Sequence, residues 1–253
     1  PLVYGLLCLP LLLGFIIPLG HLLGLSLAGQ NWRWSSELQL ALSNSLQLSG
    51  LAAVVLTVIS FLFVSSKRLN YDFRLATLDR VANMGYAVPG VILAIGLLIV
   101  LAHLDRMLAP VLEFAFGLEP RLWLSGSLFA LIAAYCIRFF APAYRSIDAA
   151  NQRIGLSVDM AAKTLGRGNR AVVAQVHVPL LAPAALVAAM LVFVDTMKEL
   201  PATLLLQGFG QTTLATWVFD RASDEMFESA AIGALLIVLI GCLPVAILAH
   251  TNR

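Results

Sequence analysis

Six apolar segments, at about 2–23, 41–64, 82–103, 122–141, 179–196 and 230–249, constrain this chain more than any other feature. Each has roughly the 17–25 residues with which a helix crosses a hydrocarbon core of about 30 Å. Charged residues make up 12% of the chain, half of the roughly 25% usual in a soluble domain. They gather in the connections and at the segment ends. That placement avoids a cost of roughly 2.5–3.5 kcal/mol for each charge at the bilayer centre. The expectation is an all-α, polytopic membrane bundle of about six helices, with residues 1–253 forming one transmembrane domain in contact with lipid.

Direction follows from Lys and Arg. One set of connections and span ends holds Lys67, Arg68, Arg74, Arg80, Arg138, Arg145, Arg153, Lys163, Arg167, Arg170 and Arg253; the other holds Arg33, Arg106, Arg121, Lys198 and Arg221. Eleven against five puts the first set, and both termini, in the cytoplasm. A net charge of +2 is too small to imply nucleic acid. Cys8, Cys136 and Cys242 lie in apolar runs without paired spacing and are expected to be buried free thiols, with no disulfide or metal. The chain starts at Pro1 and enters an apolar run without a basic region, so no cleavable signal peptide is expected. The abrupt start reads as a piece of a longer protein. Pro10, Pro18, Pro89-Gly90, Pro183 and Pro244 fall within the spans. Such prolines are either ordinary membrane-helix prolines or parts of a gate. Ser43, Asn44, Ser45, Gln47 and Ser49 give the second span a polar entry, facing other helices or a transport path.

Between the fourth and fifth spans runs DMAAKTLGRGNRAVVAQVHVP, Asp159 to Pro179. It predicts a hairpin over 157–178: Ser157 as N-cap of a helix from about 158 to 165, Gly166 as the left-handed residue ending it, and Asn169 as the next N-cap. Pro179 is expected to end the second helix. Asp159 can oppose the positive end of the first helix dipole. Two helices this short are marginal in water and need a surface to pack on. Ala161, Ala162 and Leu165 form a flat apolar patch, covered either by this protein's own helices or by a partner.

The segment resembles the EAA loop of ATP-binding-cassette importer permeases. Ala161, Ala162, Gly166, Val176, Val178 and Pro179 stand at that motif's spacing, and Met160 replaces its Glu, with Asp159 alongside. The resemblance implies a type I importer (MetI-like) fold and a coupling helix seated in a cytoplasmic ATPase dimer. It assigns that coupling to Asp159, Met160, Ala161, Ala162, Leu165, Gly166 and Pro179. It also implies a second permease half, fused or separate, a periplasmic substrate-binding protein and a bacterial inner-membrane location. No cofactor is expected on this chain; ATP and Mg would be used by the partner. The absence of GxxxxGK[ST] from the sequence agrees with energy supplied in trans.

GYAVPGVILAIGLL (85–98) and DTMKELPATLLLQGFGQTTLATWVF (195–219) resemble the ferric iron permeases of this superfamily. Ferric iron is therefore the expected cargo; thiamine, a polyamine, sulfate or another small solute is the alternative, and an ion-coupled secondary transporter a more distant one. Asp195 and Glu199 are four residues apart, with Lys198 between them, and read as a neutralised cluster or an anionic vestibule at the outer mouth. Asn44, Pro89, Asp195, Lys198, Glu199 and Pro201 are the candidates for the translocation path or its mouth. No metal site is expected: His21, His103, His177 and His250 share neither face nor spacing and read as interfacial packing.

Overall fold

The structure, a computed structural model, describes residues 2–28, 34–69, 73–117 and 122–251. In chain order it contains α1 (Leu2–Leu11), a π-helical turn (Leu12–Ile16), α2 (Ile17–Ala28), α3 (Ser36–Leu69), α4 (Phe73–Met84), a 3-10 turn (Gly85–Ala87) and α5 (Gly90–Phe116). Next come α6 (Leu128–Gln152), α7 (Leu156–Thr164), α8 (Asn169–Val172), a π-helical turn (Val173–His177), α9 (Val178–Met197), α10 (Pro201–Leu206), α11 (Leu214–Ser223) and α12 (Phe227–Thr251). Among the described residues six helical stretches are long and apolar enough to cross a membrane: Cys8–Ala28, Ser36–Leu69, Gly90–Ala115, Leu128–Gln152, Asn169–Met197 and Phe227–Ile247. Pro1, Arg33, Arg121 and Arg253 lie outside the described residues.

Among the spans that begin elsewhere than expected, three do so for a visible local reason. The third starts at Gly90, not near 82, so Pro89-Gly90 opens a helix instead of kinking one. Pro89 is extended (φ −56°, ψ 135°) and fills the cap position, where its missing N–H leaves no helix bond unmade. The fourth starts at Leu128, not near 122. Asp105 accepts the N–H groups of Trp123, Leu124 and Ser125 at 2.8–3.0 Å, which holds that apolar stretch out of the helix, and the Ser127 hydroxyl caps α6. Arg138 therefore lies mid-helix and not at a cytoplasmic end. Without it the charge sets stand at ten (11 − 1) against five, with the sign unchanged. The fifth starts at Asn169, ten residues before its expected position.

Packing divides the chain into two units. The first comprises residues up to Leu46 and from Gly210 onward. Here α12 lies against α2 and α11. A Cβ at Gly233 would fall 2.6 Å from Val218 Cγ2 and 2.9 Å from the Trp217 ring, so only glycine permits that crossing. Thr213 and Thr216 form a reciprocal capping box on α11. Leu214 N–H donates to Ser45 Oγ at 2.7 Å. Asn44 Nδ2 donates to the carbonyls of Gly210 and Thr212, each at 3.0 Å, and so holds backbone.

The second unit, Gln47–Phe209, is centred on α6 against α9. Ala130, Ala134, Ala143 and Ala188 are fully buried, and small residues let membrane helices approach closely. Leu56, Leu131, Tyr135, Ile147, Leu181 and Leu206 fill the core. Phe63, Phe140 and Tyr144 pack ring on ring at 5.5–5.7 Å. The three cysteines are free, as expected, but Cys8 and Cys242 are exposed and Cys136 is half-buried. An apolar run marks a thiol that can face lipid; it does not distinguish lipid from protein interior.

Candidate functional site

The hairpin is present, with its first helix starting earlier than expected. α7 begins at Leu156 behind Gly155, so Ser157 lies inside the first turn and is not the N-cap. The cause is Arg68, at the end of α3. Its Nη2 donates to the Gly155 carbonyl (3.0 Å) and its Nη1 to those of Asn151 (2.9 Å) and Ile154 (3.0 Å), fixing the link from α6 to α7. At the other end Gly166 is left-handed (φ +79°), as expected. Arg167 N–H returns to the Ala162 carbonyl (3.1 Å) and Gly166 N–H to that of Lys163 (2.9 Å), the Schellman pattern.

Gly168, not Asn169, caps the return helix. Pro179 does not end that helix: α8, the π-helical turn and α9 run on continuously from Asn169 to Met197. The turn explains why. A proline ring would collide with the carbonyl four residues back, and the wider turn over Val173–His177 opens the ladder just ahead of it.

Side chains of the hairpin divide into two faces. Met160 (60% exposed) and Leu165 (80% exposed) point outward; Ala161, Gly166 and Pro179 are also exposed and Ala162 is half-buried. Asp159 points the other way and is buried. It lies in the first turn, yet its carboxylate serves a node and not a solvent-facing dipole end. Arg68 Nε donates to Asp159 Oδ2 at 2.5 Å, and the fully buried His177 places Nε2 3.2 Å from Oδ1. Arg68 Nη1 also donates to Asn151 Oδ1 at 3.0 Å. Burial by itself would raise the Asp159 carboxyl; the hydrogen bonds and charges of Arg68 and His177 outweigh it and hold the group below the usual carboxylate value.

Arg68, Asn151 and His177 are the site residues that sequence reasoning missed. They come from α3, α6 and the π-helical turn, and no spacing joins them. The usable signal was chemical: a basic pair, Lys67-Arg68, closing a span, and an acid in a short helix that needs a counter-charge.

The residues expected at the mouth separate. Lys198 pairs with Asp195 at 3.0 Å, and the lysine is largely exposed. Glu199 is buried and takes no part in that pair. α9 stops at Met197 and Lys198 leaves helical geometry (φ −101°, ψ 2°), so the four-residue register linking Asp195 to Glu199 is lost. Glu199 instead accepts Ala202 N–H on Oε1 at 3.2 Å and meets Arg138 through Oε2. Pro201 opens α10. Among the described residues no group of three or more His, Cys, Asp or Glu could hold a metal ion.

Residues 71–252 match the family described as "Binding-protein-dependent transport system inner membrane component". The chain is 28% identical, over 213 residues, to the Fe(3+)-transport system permease protein FbpB 2 of Haemophilus influenzae. The matched region covers 84% of this chain but only 39% of that relative. A crystal structure of a bacterial alginate transporter, in complex with an alginate pentasaccharide-bound periplasmic protein, covers the whole chain and 94% of its own at a TM-score of 0.78 and 17% identity. An inward-facing MetNI methionine transporter covers 87% of this chain and 100% of its own at a TM-score of 0.56 and 15% identity. At such identities the likeness is one of fold, an all-α MetI-like bundle.

Proposed function

Because this chain belongs to the binding-protein-dependent transport system inner membrane components, we propose that it is the permease of an ATP-driven importer of ferric iron, moved by a separate ATPase through residues 156–168. Iron would arrive on a periplasmic binding protein, and a second permease half, fused or separate, would complete the path. ATP and Mg belong to the ATPase. The importer reading follows from the family. The cargo reading draws on the iron-permease-like stretches 85–98 and 195–219 and on the Haemophilus relative.

One observation carries the coupling role. The hairpin turns its apolar residues Met160 and Leu165 to the outside while Arg68 and Asp159 fasten its other face to the spans. A surface both uncovered and anchored suits a docking element that must transmit force. Rigid-body rocking of helix bundles then exposes the path to each side in turn. The charge asymmetry supports a cytoplasmic hairpin.

The test replaces Gly166 with Asp. A side chain at φ +79° strains the turn, and the new carboxylate sits on the docking face. Copurification with the ATPase and uptake of ferric iron in a deletion strain should both fall by about tenfold or more. Wild-type assembly and uptake in this variant would remove the coupling role. Uptake of another solute by the unaltered chain, with ferric iron excluded, would remove the cargo reading alone.

A further inference from the structure

Arg138 is the eleventh of the 25 residues of α6, about 15 Å along the axis from Leu128 at 1.5 Å per residue. A charge that deep in a span is costly, and by default marks a function. Three interruptions of regular structure converge on it: the turn through Val88 and Pro89 that opens α5, the end of α9, and the start of α10. A Cβ on Gly90 would fall 3.0 Å from both Arg138 Nη1 and Glu199 Oε1, so the segments meet with no room for a side chain.

The guanidinium, on a side chain 22% exposed, is held loosely, and it also lies over the ring of the neighbouring Phe139 at 5.8 Å. Its directed hydrogen bond among the described residues runs from Nη1 to the Val88 carbonyl at 3.1 Å. Nε lies 3.1 Å from Glu199 Oε2, but not aligned as a hydrogen bond. Hydroxyls flank the Glu199 backbone. Thr203 Oγ1 donates to the Glu199 carbonyl at 2.6 Å and is hydrogen-bonded to Tyr135 Oη at 2.6 Å. Thr196 Oγ1, one turn before Glu199, is buried without a partner. The Glu199 carboxylate and the Val88 carbonyl, which hold the guanidinium, are hard oxygen donors of the kind that suits a small, highly charged cation.

We propose that Arg138 is a tethered cation standing in the cargo's place: it swings off Glu199 and the Val88 carbonyl to admit a hard metal cation in transit, and returns as that cation leaves. Trading the guanidinium for the metal cation never leaves the carboxylate bare, which would be costly, and the charge that a multivalent cation brings beyond that of the arginine favours its release. A lone carboxylate also binds weakly enough to release, as conduction requires. The inference rests on the transport reading but not on the identity of the metal.

The apolar double variant Arg138→Met/Glu199→Met separates this role from a structural one, because an ion pair kept only for packing tolerates apolar replacement of similar volume. In membranes holding the partner subunits, its level and melting temperature should match the unaltered chain, while uptake of radiolabelled ferric iron drops by about tenfold or more. Uptake within about twofold of the parent would overturn the inference. Should the double variant fail to fold, terbium(III) binding to single variants in lipid nanodiscs decides. Arg138→Gln should bind terbium about tenfold more tightly than the parent, and Glu199→Gln should not exceed the parent; equal binding by all three would overturn it. If the unaltered chain with its partners takes up nothing, the transport reading fails, and this inference with it.

Discussion

Arg68 and Arg138 differ in how their donors are used. The side chain of Arg68 is 4% exposed, and its three nitrogens reach Asp159, Asn151, Ile154 and Gly155. A guanidinium so fully bonded is a fixed joint. Arg138 makes one directed bond, one off-axis ion pair and a contact over the Phe139 ring, which suits a contact that opens. Removing the carboxylate partner of Arg68 leaves a buried charge uncompensated, at a cost of roughly 3 kcal/mol. Asp159→Ala should therefore loosen the hairpin, read as faster proteolysis within 156–168. The same pair sets a pH response. The folded carboxyl of Asp159 lies below its unfolded value, so its stabilisation is complete above the unfolded value of about 4 and is lost as pH falls through the depressed one. A fluorophore on Met160→Cys should report steady order from neutral pH down to about 4 and a transition below it. In Asp159→Asn that transition should disappear; its survival would mean that another group titrates.

At the level of the helix, glycine placement decides which crossings are possible. A Cβ on Gly85 would sit 2.1 Å from the Ile137 carbonyl oxygen, a backbone atom of α6 that cannot swing aside. Gly85→Ala should cost about 1–3 kcal/mol, measured as a lowered melting temperature in detergent. Gly96, inside α5, has nothing within 4 Å of a built Cβ, and Gly96→Ala should be neutral or stabilise by up to about 1 kcal/mol. Sequence reading located the apolar helices because bilayer length and apolar runs are local properties. Gly166 was legible for the same reason, since a left-handed stop needs only its neighbours. The ends of the third, fourth and fifth spans were not. The third opens on the extended Pro89; the fourth depends on Asp105 and the fifth on the turn at 173–177, neither of which announces itself along the chain. Likewise Asp195 and Glu199 share a face only while a helix continues, and α9 stops between them.

For the whole molecule, the charge asymmetry predicts orientation. In a background with Cys8, Cys136 and Cys242 replaced by serine, a cysteine at Lys163 should resist an impermeant thiol reagent in intact cells, while one at the exposed Glu113, late in α5, should react. The opposite pattern would invert the topology. Sequence alone conveyed the number of spans and the presence of the hairpin; which of its sides is exposed, and the node behind it, assembled from α3, α6, α7 and the return helix, exist only after folding. That return helix has a mechanical consequence. The 29 residues from Asn169 to Met197 form a lever arm about 43 Å long at 1.5 Å per residue, with His177 against Asp159 as fulcrum near its base. Tilting the part beyond that fulcrum, about 30 Å long, by about 10° sweeps its far tip through about 5 Å. That tip is two residues from Glu199, so a small push at Gly166 would be delivered, magnified, to the carboxylate beside Arg138.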